Sequence, residues 1–147
     1  MIVLEEMKDL NRDEQEIYLY ERSPAIYLKN SEFIITGLSA LNLYGYVPSD
    51  CNGTMEVVLD LNTVGSYLIP VWTNCKDNNI CYINGYKVVT KYHALYDAIT
   101  TQRDISRNDD AIIQFYEEGI LDDFIQYAKS WNINKNLLDY ALEIVRQ

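Results

Sequence analysis

Gly37, Leu38 and Ser39 open an apolar helix directly after the β-prone run Phe33–Thr36, and Glu56 and Asp60 stand on the strand-like run that follows. A glycine turn at a helix start offers backbone N–H groups to a phosphate, and carboxylates on a neighbouring strand hold Mg²⁺. One metal needs two carboxylates at alternate positions, where they share a face about 7 Å apart. Glu56 and Asp60 are four residues apart, which separates their backbones by roughly 13 Å on an extended strand. The alternate position is Val58, and the second small residue of the turn is replaced by Leu38. These residues therefore assign no catalytic group and no metal site; Glu56 and Asp60 are ligands only if the chain performs metal-dependent phosphoryl chemistry.

His93 is the single histidine, with Asp97 at i+4 on a predicted helix. That is the spacing of a hydrogen-bonded pair on a helix surface. Nothing in the spacing ties a serine or cysteine to His93, so no nucleophilic triad is written. Cys51, Cys75 and Cys81 are odd in number, and with one histidine they spell neither a zinc site nor a closed disulfide framework. They read as free thiols in a reducing compartment. No cofactor is implied.

The elements that must position these residues follow from periodicity. Met1–Leu10 has apolar residues at roughly helical spacing, Arg12–Glu21 is a weaker helix, and Ser23-Pro24 is a cap with proline at the first helical position. Leu38, Ala40, Leu41 and Tyr44 recur at helical intervals until Gly45. Met55–Leu61 and Ser66–Trp72 are strand-like, with Pro70 marking an edge or bulge. Ile80–Ile83 and Tyr86–Val89 flank Asn84-Gly85, which suits the two positive-φ positions of a type I′ hairpin turn. Beyond Thr90 the pattern is helical: Tyr92, Leu95, Tyr96 and Ile99 form one face. Ser106 caps a helix with Ala111, Ile112, Phe115 and Tyr116 inward, Leu121, Phe124, Ile125 and Ala128 mark another, and Asn134 caps the last. The expectation is a single α+β domain over 1–147. It comprises a short N-terminal helical segment (1–32), a central antiparallel or mixed sheet of four to five strands, and a C-terminal helical bundle packed on one side.

Formal net charge is -10, and nucleic-acid affinity comes largely from Lys and Arg displacing counterions. Direct nucleic-acid binding is therefore not expected, while a basic protein partner is. Asp109, Asp110, Glu117, Glu118, Asp122 and Asp123 are the acidic candidates for such a contact; the same charges also serve to keep a surface with many of the 13 tyrosines soluble. Tyr92 and Tyr96 add contact area at low entropy cost. No apolar run reaches the roughly 18–20 residues of a membrane span, and Met1–Asp9 carries carboxylates in place of a cationic leader. A cytoplasmic protein is expected.

Strand, glycine turn, helix ending Leu-Tyr-Gly and carboxylate-bearing strand together resemble the core of the minimal nucleotidyltransferases. Over Phe33 to the C-terminus the chain looks more like the effector domain of the AbiEi family of antitoxins, itself nucleotidyltransferase-like. The matching stretches are ITGLSALNLYGY, EVVLD, NGYKVVT, KYHALYDAIT and LDDFIQYAKS. Asp97 falls at the family's acidic helix position, while His93 or Tyr92 replaces its arginine. The 32 residues before Phe33 are too few and too acidic for the family's DNA-binding winged helix, which argues against autorepression.

The resemblance implies a non-enzymatic module acting on a basic or nucleic-acid-handling protein in phage–host conflict. One alternative is an acidic, DNA-mimicking inhibitor of a host defence nuclease, as many anti-CRISPR proteins are. The other is a divergent metal-dependent nucleotidyltransferase.

Overall fold

A computed structural model describes residues 34–48, 55–58, 68–71, 75–83 and 86–146. The expected N-terminal helices, Asp60, Cys51 and the Asn84-Gly85 turn lie outside the described residues. Ile34–Thr36 is extended, and Gly37 at φ +60° turns the chain at once into α1 (Gly37–Leu43). Leu38, Ala40 and Leu41 are buried, as their helical spacing requires, and Gly45 at φ +87° follows the helix end.

Strands β1 (Met55–Val58) and β2 (Leu68–Val71) pair in parallel, with Val58 opposite Val71. The predicted hairpin forms: β3 (Ile80–Ile83) and β4 (Tyr86–Val89) are antiparallel, with Ile83 opposite Tyr86. Between the two pairs runs the extended stretch. On one side Thr36 N–H donates to Glu56 O and Val58 N–H to Ile34 O. On the other Ile35 N–H donates to Lys87 O and Val89 N–H to Ile35 O.

The expectation of an α+β fold around a central sheet of four to five strands is corrected by this arrangement. Strands form two-stranded ladders, only one of them antiparallel, and five α-helices dominate the described residues. The physical reason is local. Gly37 ends the extended stretch before it grows into a strand, leaving Ile35 with a single bridge to Val88. Each of the four strands is four residues long.

Four helices follow: α2 (Lys91–Thr101), α3 (Ile105–Glu117), α4 (Leu121–Ser130) and α5 (Lys135–Arg146). Helix α2 is the hub, packed against α1, α3, α4 and α5. Its Ala94, Leu95, Ala98 and Ile99 are buried with Phe115, Phe124, Leu138 and Leu142 from the surrounding helices. Asn134 caps α5 as expected, its Oδ1 accepting from Leu137 N–H at 3.1 Å. Helix α3 is capped by Asp104, which accepts from Arg107 N–H, rather than by Ser106, which is the second residue of the helix. Tyr116, read as inward, is exposed; Phe115 alone of that pair points to the core.

Candidate functional site

The glycine turn that resembles a phosphate cradle is filled by the protein itself. Glu56, only 5% exposed, accepts a hydrogen bond from Leu38 N–H at 3.1 Å, while Glu56 N–H donates to Ser39 Oγ at 2.9 Å. Arg103 Nε lies 3.7 Å from the second carboxylate oxygen. Burial raises the Glu56 pKa, and the Leu38 N–H and Arg103 pull it back down. A Cβ on Gly37 would stand 1.8 Å from Glu56 Oε2, so the absence of a side chain there makes room for this carboxylate. Val58, at the alternate position of the strand, supplies no ligand.

A second group of polar residues is threaded through the core. Asn79 Nδ2 donates to Tyr127 Oη at 2.9 Å, and Tyr127 Oη meets His93 Nδ1 at 2.6 Å. His93 Nε2 lies 3.7 Å from Asp97 Oδ2, which also accepts from Thr36 Oγ1. These partners orient one another. With Asn79 donating, the Tyr127 hydroxyl is free to donate to Nδ1, which leaves the imidazole proton on Nε2, facing the carboxylate. The Trp131 ring closes over His93 at 4.8 Å between centroids.

The i,i+4 spacing of His93 and Asp97 suggested a pair on the helix surface; here both are buried, at 0% and 1% exposure, because the side of α2 that carries them is covered. The order of the groups matters chemically. A nucleophilic triad sets the imidazole between a hydroxyl and a carboxylate; here the hydroxyl on the far side of the imidazole is the Tyr127 phenol, and for Thr36 the carboxylate stands between it and His93. The arrangement cannot deprotonate Thr36 through His93. What it does is tie the residue before α1, the middle of α2, the C-terminal half of α4 and the lead-in to β3 into one polar core.

Burial drives the His93 pKa down to about 4, against the pull of the nearby Asp97 carboxylate. Desolvation of an imidazolium inside a packed core outweighs an ion pair at that separation. The folded value lies below the unfolded value of about 6.5, so the associated stability is complete above that pH and is lost as pH falls towards 4. The expected decline approaches 1.4 kcal/mol per pH unit in that window, about 3 kcal/mol in all. Because the chain has one histidine, a single imidazole resonance in an NMR titration checks this. A midpoint near that of a free histidine would refute it.

The acidic candidates divide. Asp110 and Glu117, seven residues apart, share the exposed stripe of α3, and Gly119 at φ +74° turns the chain into α4, whose first turn carries exposed Asp122 and Asp123. Glu117, Glu118, Asp122 and Asp123 thus meet at one corner. Tyr92 joins them: its hydroxyl is pushed up in pKa first by burial and then by Asp123, and its ring stacks edge-on against Phe115. Tyr46 Oη donates to Glu118 Oε2 at 2.7 Å, a partner that lies 72 residues away and carries no local signal.

Three candidates are not brought to the corner, Asp110 because it stands about two turns from Glu117 along α3. Tyr96 stacks with His93 and Trp131 instead. Asp109 lies a hundred degrees round the helix from Asp110, half-buried on the wall of a cleft towards α5. Its position was legible from the helical period, since Ile105 and Ile112 share its side.

Among the described residues no helix is long and apolar enough to cross a membrane. No protein-family model matches this chain, and neither does any curated protein or any solved structure.

Proposed function

We propose that this chain is a non-enzymatic protein-binding module, similar in role to the AbiEi antitoxins, that engages a basic, nucleic-acid-handling protein in phage–host conflict. The observation that carries the reading is the acidic corner of Glu117, Glu118, Asp122 and Asp123 with Tyr92 beside it. Carboxylates held on two helices, with an aromatic ring at their base, complement a lysine- or arginine-rich surface and steer its approach. The filling of the glycine turn by Glu56 supports a binding role over nucleotidyl transfer, because a triphosphate would have to displace a carboxylate that the backbone already holds.

The test begins with cross-linked co-purification from the native host and identification of the partner, followed by titration of its affinity against salt. The quadruple variant Glu117→Gln/Glu118→Gln/Asp122→Asn/Asp123→Asn keeps the hydrogen-bond acceptors, including that of Tyr46, and removes the charge. It is expected to bind at least about tenfold more weakly at low salt, with an unchanged melting temperature and a flatter salt dependence. Unaltered affinity in this variant would sink the reading. Competition by duplex DNA for the same partner surface would favour the DNA-mimicking form of the hypothesis.

A further inference from the structure

We draw no further inference here: the strongest candidate, the cleft between α3, α4 and α5 lined by Tyr116, Leu121, Ile125, Leu142 and Val145, is an apolar groove beside Asp122 and Arg146, and nothing in the structure shows what covers it.

Discussion

Replacing Gly37 with alanine is expected to destabilise the fold by about 2–5 kcal/mol, the sum of two physical costs. The first is backbone: φ is +60° at this position, a region that costs an L-residue roughly 1–2 kcal/mol. The second is displacement. The new Cβ would lie 1.8 Å from Glu56 Oε2, so the carboxylate must leave. Its departure breaks the bond from Leu38 N–H and withdraws the partner of Arg103, and a buried N–H without an acceptor costs about 1–3 kcal/mol. The diagnostic is a double-mutant cycle in urea. Glu56→Ala alone also loses the Leu38 bond, so in Gly37→Ala/Glu56→Ala the displacement cost is counted once and the pair falls short of the sum. Strict additivity would show that Gly37 and Glu56 do not compete for the same space.

Phe115→Ala is expected to lose a similar amount, about 3–5 kcal/mol, by leaving a cavity where helices α2, α3 and α4 meet. Phe115 is fully buried, and its ring contacts Tyr46 at 4.7 Å, Phe124 at 5.9 Å and Tyr92 at 6.0 Å between centroids. The loss should be accompanied by a change at the surface, because Tyr46 donates to Glu118 and Tyr92 stands under the acidic corner. Urea denaturation measures the first effect and the tyrosine signals in near-ultraviolet circular dichroism the second. A loss below about 1 kcal/mol would mean that the ring is not packed as described.

What could be read from the chain is what depends on neighbours in sequence. Asn84-Gly85 announced its hairpin because the turn requirement is local, and the ends of β3 and β4 fall where the apolar runs stop. The four C-terminal helices were legible from a 3.6-residue period sustained over each of them. Strand number was not, because an apolar run shows that a segment is β-prone and says nothing about which segments meet; here Gly37 cuts the middle stretch to one bridge. The cap of α3 was misplaced by two residues because Asp104 and Ser106 are both good cap residues, and only the bond to Arg107 N–H separates them.

The buried polar core was the hardest to foresee. His93 and Asp97 have the same i,i+4 spacing whether α2 lies on the surface or at the centre, and only the helices around α2 decide which. Tyr127 and Asn79 complete the core from 34 and 48 residues away from His93 and Tyr127 respectively. The acidic corner was partly visible, since Glu117, Glu118, Asp122 and Asp123 are close in sequence. Asp109 and Asp110 are adjacent in the chain but about a hundred degrees apart around the helix, so adjacency alone does not place them on one surface.

The polar core also bears on the order in which the chain emerges during synthesis. Thr36 waits for Asp97, 61 residues later, and His93 waits for Tyr127, which follows it by 34. An N-terminal portion ending before α2 would hold the glycine turn and both strand pairs but none of the hub that covers them. Domains fold as units, so the nascent chain reaches its stable form only when α5, which brings Leu138 and Leu142 to the core, has left the ribosome. Until then it exposes its β-prone apolar runs to whatever is nearby.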